Sequence, residues 1–408
     1  MNRRLLALLL AASAAAAQDF TQRGYLEIRN FIYPQTAPND SAHYVGEAMF
    51  RWEAAYKLNS LFRINGSIDA RVDSHRQFER EARLDVLDQD IQRPAVSLRR
   101  LSLLYSQGGL TIEAGRQFVR WGRADILNPT DRFSPRDFTN VLQPDTLGII
   151  AARATYENGG NTIDLVYSPI FTPSRAPLLN QRWVVLPAEV AGVNIADRGS
   201  HIPGRGQAGL RFSHVGKGFE AGLCYFDGLY NLPFFDVSVN PVPPLTAAFE
   251  RIFPRLRLYG ADLAVPLKWF TVKSEAGYYQ SPDPRSDEFL LYVVQLERIV
   301  GEWVFVGGYA GEYVTARRAE LNFNPERGLA KTFLGRASYN LDANRTVAFE
   351  GAIRQNGAGG YAKAEYSQAI GNHWRATASL TLLRGGPTDF FGQYHRNSHF
   401  LLTLRYSF

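Results

Sequence analysis

Residues 62–73 hold the pattern that most restricts how this chain can fold. Phe62, Ile64, Ile68, Ala70 and Val72 fall on one face, and Arg63, Asn65, Ser67, Asp69, Arg71 and Asp73 on the other. Successive strand side chains point to opposite faces, so this is a strand with one apolar and one wholly polar side. A soluble sandwich has no need of so complete a polar face, whereas a strand lying between lipid and water does. The pattern recurs. Trp374, Ala376, Ala378, Leu380 and Leu382 stand against Arg375, Thr377, Ser379 and Thr381. Val347, Phe349, Gly351 and Ile353 stand against Thr346, Ala348, Glu350 and Arg354.

Such segments run near 24–33, 44–56, 60–73, 94–106, 110–118, 147–156, 161–168, 206–215, 218–227, 254–265, 268–280, 288–299, 302–314, 331–341, 345–355, 360–369, 373–383 and 398–408, eighteen in all. Every second junction is short and turn-like: Leu58-Asn59, Gln107-Gly108-Gly109, Asn158-Gly159-Gly160, Gly216-Lys217-Gly218, Pro266-Leu267, Val300-Gly301, Asp342-Ala343-Asn344 and Gly371-Asn372. Gly and Asn supply the positive φ that tight hairpins need. The intervening junctions are mostly longer, from about five residues to several tens. Short turns at one end and long loops at the other are the layout of a membrane barrel, and an even strand count leaves both termini at the short-turn end. The expected fold is therefore all-β, a transmembrane antiparallel up-and-down β-barrel of about eighteen strands, or sixteen if two weak segments within 147–168 are not strands as drawn. A barrel this wide encloses an aqueous channel unless something fills it. The extracellular loops at about 119–146 and 169–205 are the expected filling, partly folded into the lumen. The loop at 228–253, with Pro233-Phe234-Phe235 and Pro241-Val242-Pro243-Pro244, is a third candidate for covering the mouth.

The two ends agree with this reading. Arg3 and Arg4 precede the apolar run from Leu5 to Leu10, which grades into Ala11 to Ala17 and then Gln18-Asp19. This describes a secretory signal peptide, 1–17, cut after Ala17, with 18–408 as a single barrel domain. No later stretch reaches the ~18 continuous apolar residues of a spanning helix. Phe400, Leu402, Leu404, Tyr406 and Phe408 alternate with Leu401, Thr403, Arg405 and Ser407 up to the last residue. That segment resembles the closing strand of bacterial outer-membrane β-barrels. The resemblance implies a Gram-negative outer membrane, with its lipid and lipopolysaccharide as surroundings, and a terminal Phe408 read by the barrel-assembly machinery. Its apolar face is expected to seal against the strand near 24–33. The single cysteine, Cys224, excludes an intrachain disulfide. A pI near 9.3 and a net charge of +6 fit anionic solutes or lipid headgroups and not a nucleic-acid partner.

The most distinctive stretch runs from Gly115-Arg116-Gln117 through Trp121-Gly122-Arg123-Ala124-Asp125 and Asn128-Pro129-Thr130-Asp131 to Arg132 and Arg136-Asp137. Asp125, Asp131, Asp137 and Asp145 interleave with Arg116, Arg120, Arg123, Arg132 and Arg136. Two readings stand side by side. One is a packed Arg/Asp network, anchored by Trp121, that lies across the lumen and sets pore size and local field. The other is a loop whose pairs only hold its own fold. A calcium site from the aspartates has suitable oxygen ligands but no EF-hand spacing, and no metal is expected. This stretch, with Ser168-Pro169-Ile170-Phe171-Thr172-Pro173-Ser174-Arg175-Ala176-Pro177, resembles a poorly characterised family of porin-like outer-membrane barrels with a G-R-Q-x-x-x-W-G-x-x-D-x-x-N-P-x-D signature. The resemblance covers about 115–177 by motif and the rest by architecture. It implies a channel-like fold and carries no substrate across.

Catalytic patterns are not found. None of His43, His75, His201, His214, His373, His395 and His399 has metal-site spacing, and there is no nucleophile elbow. His395 and His399 read as a solvated rim, and Cys224 as an inert buried or lumen residue. The inward residues, on the same phase, are Arg63, Asp69, Arg71, Asp73, Glu113, Lys273 or Ser274 by register, Glu350, Arg354, Lys363, Glu365, Arg375 and Arg405. The expectation is a channel without cofactor or enzymatic activity, passing small polar solutes, anionic ones among them, by diffusion or selectively, and constricted near 119–146. The alternatives are a hydrolase with a cross-strand site, a structural or assembly barrel, and a carrier of hydrophobic solutes.

Overall fold

The computed structural model describes residues 19–185, 193–240, 246–318 and 323–408; the leader expected at 1–17 and the run Pro241-Val242-Pro243-Pro244 lie outside them. The wall is made of β1 (Phe20–Ile32), β2 (Tyr44–Lys57), β3 (Phe62–Asp73), β4 (Val96–Gln107), β5 (Leu110–Gln117), β6 (Ile149–Asn158), β7 (Asn161–Ser168), β8 (Gln207–Gly216) and β9 (Phe219–Leu229). It continues with β10 (Arg255–Pro266), β11 (Thr271–Gln280), β12 (Glu288–Val300), β13 (Trp303–Ala316), β14 (Thr332–Asn340), β15 (Arg345–Arg354), β16 (Gly359–Ile370), β17 (Trp374–Gly385) and β18 (His399–Ser407). Each strand pairs antiparallel with the next, and β1 pairs with β18, so the eighteen-stranded sheet closes. The 147–168 segments are strands as drawn. At the seam Tyr25 faces Ser407 and Ile32 faces Phe400. Gly24 and Phe408 exchange two backbone hydrogen bonds of 3.0 Å each. The Phe408 ring lies over Gly24, where a Cβ would come within 2.6 Å of it, and stacks on Phe50.

Polarity is inverted relative to a soluble domain. Leu26, Ile28, Leu103, Leu165, Leu223, Leu296, Phe349, Leu382 and Leu404 are exposed on the outside, while Glu27, Asp69, Asp164, Asp262 and Glu275 are buried inside. Phe20, Tyr56, Phe219, Trp269, Trp303, Trp374 and Phe408 are exposed beside the short turns, which forms an aromatic girdle at that end. An apolar band with an aromatic border is the surface that a bilayer requires. Among the described residues no helix is long and apolar enough to cross a membrane.

The outer junctions carry structure of their own. Phe234–Asn240 and Thr246–Ile252 form an antiparallel pair, and Asn194–Ser200 adds to it in parallel. The stretch 228–253, expected as a loop, thus carries two strands. Val237 and Val239 alternate there, but the nearby prolines dominated the reading. His399, expected at a solvated rim, is buried beside Phe31 and Tyr33.

Candidate functional site

The loop between β5 and β6 enters the lumen and docks on one side of the wall. Val119, Trp121, Leu127 and Phe133 form one buried cluster with Ile149, Val166, Phe226, Leu256, Leu258, Tyr279, Phe289 and Leu291, which come from β6, β7 and β9 to β12. Burial of each such side chain contributes about 1.5–3 kcal/mol. Two wall glycines make the seat. A Cβ on Gly209 would stand 2.6 Å from the Trp121 and Phe133 rings, and one on Gly260 would stand 2.6 Å from Thr130.

Polar groups of the wall then read the loop backbone. Glu275 of β11, 2% exposed, accepts the Arg123 N–H at 2.9 Å, the Ala124 N–H at 3.2 Å, the Thr130 N–H at 2.9 Å and the Thr130 hydroxyl at 2.7 Å. The Gln295 side-chain oxygen accepts the amides of Asp125 and Ile126, and the Tyr279 hydroxyl donates to the Pro129 carbonyl. The Trp121 indole N–H donates to Asp164 at 2.9 Å. Gly122 has φ +91°, and a Cβ there would meet the Glu275 carboxylate at 2.5 Å. Glycine after Trp121 is therefore a requirement of the clamp.

The charged residues expected to form a network within the loop mostly pair elsewhere. Arg123 bonds Asp262 at 2.7 Å and contacts Glu220. Asp125 pairs with Lys273 at 2.8 Å, which resolves the register in favour of Lys273 over Ser274 as the inward residue. Arg132 pairs with Glu326 at 2.8 Å. Arg116 pairs with Asp88 and the Val86 carbonyl, and Asp137 with Arg93 and Arg175, all in neighbouring inward segments. Arg120 is exposed and Arg136 half-buried. Asp125, Asp137 and Asp145 thus pair with Lys273, with Arg93 and Arg175, and with Arg71 and Arg99, rather than with the arginines of their own loop. The physical reason is distance: an extended loop spanning a wide lumen meets wall charges more closely than its own. Of the inward set, Glu113 pairs with Arg100, Asp73 with Arg80, Glu350 with the Tyr361 hydroxyl, Arg354 with Asp389, Lys363 with Glu365 and Arg405 with Glu27. Arg375 donates to Ser367, and Arg63 is exposed near the short-turn end of β3.

Asp131 stays within the loop, accepting from Trp121 N–H and the Ser134 hydroxyl. Burial pushes its carboxyl up to about 6, against the pull of Arg136, those two donors and Arg132. The folded loop thus holds the Asp131 proton more tightly than the unfolded chain does. Its contribution to stability is complete below the unfolded value near 4 and is lost as pH rises through about 6. We expect the protection of the 119–134 amides, with intrinsic exchange divided out, to be greater at pH 5 than at pH 8, and the Asp131→Asn variant to lose this difference. A native profile without pH dependence beyond intrinsic exchange would refute it.

On the opposite side of the loop a cleft of about 330 Å³ remains, walled by β1, β2, β3 and β18. Arg29, Arg51, Arg71, Arg93 and Arg405 line it together with Glu27, Glu47 and Asp145. Arg51 and Arg71 each bond Asp69 at 2.7 Å, and Arg71 also bonds Asp145 at 2.7 Å. Arg99 reaches Asp145 at 3.0 Å. Burial alone would raise the Asp145 and Asp137 carboxyls, but Arg71, Arg99 and Arg51 beside the one, and Arg93 and Arg175 beside the other, hold both well below the usual carboxylate range.

Arg99 escaped the sequence reading for a definable reason. Ser97 pairs with Asp69 and Leu98 with Ile68, but Arg100 pairs with Ser67, so Arg99 is an extra residue in β4. This bulge turns both Arg99 and Arg100 inward, where strict alternation sends one of them to lipid. Arg29, Arg51, Glu27 and Glu47 were readable from alternation and were missed; Glu275 and Gln295 carried no local signal, because their partners lie about 150 residues away.

No protein-family model matches the chain, and no curated protein matches it. Among solved structures, a BenF-like porin from Pseudomonas fluorescens is similar at TM-score 0.54 and 10% identity, over 96% of this chain and 98% of that one. OpdQ of Pseudomonas aeruginosa is similar at TM-score 0.50 and 11% identity, over 95% and 98%. OccK5 (OpdH) of the same organism is similar at TM-score 0.50 and 9% identity, over 95% and 97%.

Proposed function

We propose that this chain is an outer-membrane channel of a Gram-negative bacterium, passing small polar solutes and favouring anions through the cleft between the 118–148 loop and the β1–β3 and β18 wall. The observation that carries this reading is the cleft lining, where five arginines face three carboxylates in about 330 Å³. A passing anion meets guanidinium groups at a low-dielectric wall, where their field is stronger than in bulk water. The similarity to a BenF-like porin supports the reading at the level of fold. On it, residues 1–17 act as the export leader, Phe408 meets the assembly machinery, and lipid and lipopolysaccharide surround the belt. The chain's place in the porin-like family of the W-G-x-x-D-x-x-N-P-x-D signature belongs to the same proposal, as does the constricting role of Arg116, Arg120, Trp121, Arg123, Asp125, Asp131, Arg132, Arg136 and Asp137. The loop narrows the lumen by standing in it, and no chemical step is required of any residue.

The refolded full chain in a planar bilayer tests this. We expect discrete conductance steps and, in a KCl gradient, a reversal potential of the sign set by chloride. Absence of steps, or a potassium-selective potential, would sink the proposal.

A further inference from the structure

Next to the conducting cleft lies a second, much smaller cavity of about 20 Å³. Arg71, Arg93, Arg99, Arg116 and Arg175 line it. Only two carboxylates, Asp69 and Asp88, face them across it. Arg93, Arg116 and Arg175 are 6%, 3% and 4% exposed. Behind the lining the ion pairs fall into two groups, Arg51, Arg71 and Arg99 with Asp69 and Asp145, and Arg93, Arg116 and Arg175 with Asp88 and Asp137; Glu47 reaches Arg93 at 3.9 Å, and the Asp85 charge acts on Arg116. At the cavity lining itself, however, five guanidinium groups meet two carboxylates in a place with little water. Buried charge without a counter-charge is strongly unfavourable. The side-chain ε N–H groups of Arg71 and Arg116 are also buried without a hydrogen-bond partner among the described residues.

We propose that this cavity binds a single chloride ion. One monatomic anion supplies the missing negative charge and accepts from the two orphaned donors. A water would satisfy donors but add no charge. A cavity needs roughly 10–15 Å³ to hold one water, so this one takes a single small particle and excludes phosphate, sulfate and carboxylates. The site is thus separate from whatever solute the larger cleft passes, and it does not depend on the channel reading. Its occupant ties the 74–95 segment, through Arg93, to the wall at Arg71, Arg99 and Arg116 and to Arg175 of the loop after β7.

The refolded full chain in detergent is heated in sodium chloride, sodium bromide or sodium gluconate at equal ionic strength. We expect the unfolding midpoint to rise by about 3 °C in chloride and bromide over gluconate, saturating with concentration. Crystals soaked in bromide should show an anomalous peak within the cavity. Arg116→Gln should remove most of the halide response. Asp88→Asn, which increases the positive excess, should enlarge it, and this variant decides the matter if Arg116→Gln fails to fold. Equal midpoints in the three salts, a response unchanged in both variants, or the lack of a bromide peak would overturn the proposal. None of these readouts depends on conduction.

Discussion

In planar bilayers the Glu275→Ala variant should pass several-fold more current per channel than the native chain. Glu275 is the one wall carboxylate that accepts three loop amides and a hydroxyl, all within 3.2 Å. Alanine leaves those donors buried without an acceptor, at about 1–3 kcal/mol for each. That total is of the same order as the burial that seats Val119, Trp121, Leu127 and Phe133, so the 121–131 segment is expected to spend part of its time off its seat, with the lumen wider. Glu275→Gln keeps one acceptor oxygen and sets an NH2 against the remaining amides, so its conductance should fall between the two. The barrel itself persists, because its wall is closed by strand pairing that does not involve this side chain. Unchanged conductance in Glu275→Ala, with the folded barrel confirmed by its resistance to detergent unfolding, would show that the loop is not what limits the pore.

On the channel reading proposed above, the Arg51→Gln/Arg71→Gln double variant should lose the preference for anions. Arg51, Arg71 and Arg99 surround Asp69 and Asp145, three cations to two anions. Removing two of the three reverses the local charge. For a partly solvated lumen each lost charge changes the energy of a passing anion by roughly 1 kcal/mol, so with both charges gone the chloride-to-potassium permeability ratio should fall by about thirtyfold. Asp145→Asn changes the charge the other way and should raise the ratio. Reversal potentials in a KCl gradient read both effects, and high salt should shrink them by screening. Ratios that do not move in either variant would exclude this cleft as the conducting route.

The wall was readable from the chain because its physics is local and periodic. Phe62–Asp73 and Trp374–Gly385 have lipid on one side and water on the other, and each residue records which side it faces. The turns were readable for the same reason, since Gly and Asn mark them one at a time. The constriction loop was readable as a place but not as a mechanism. Trp121 and Gly122 signal a special backbone, yet the Glu275 carboxylate that explains Gly122 comes from another strand. Arg99 shows the limit of alternation itself, because a single extra residue reverses the inside–outside assignment. The antiparallel pair of Phe234–Asn240 and Thr246–Ile252 shows that a true period-two signal can be outweighed by neighbouring prolines.

The arginine cleft and the barrel seam are the same wall. Arg405 of the last strand bonds Glu27 of the first, 378 residues away in sequence, and both line the cleft. Contacts so distant along the chain form late, because the whole intervening chain must be gathered before they are rewarded. The filter side of the lumen therefore does not exist in any assembly intermediate that still lacks its final strand pairing. Such an intermediate would leak without discriminating between ions. On the channel reading proposed above, selectivity and completion arrive in one step, so a barrel that discriminates has, by that fact, finished folding.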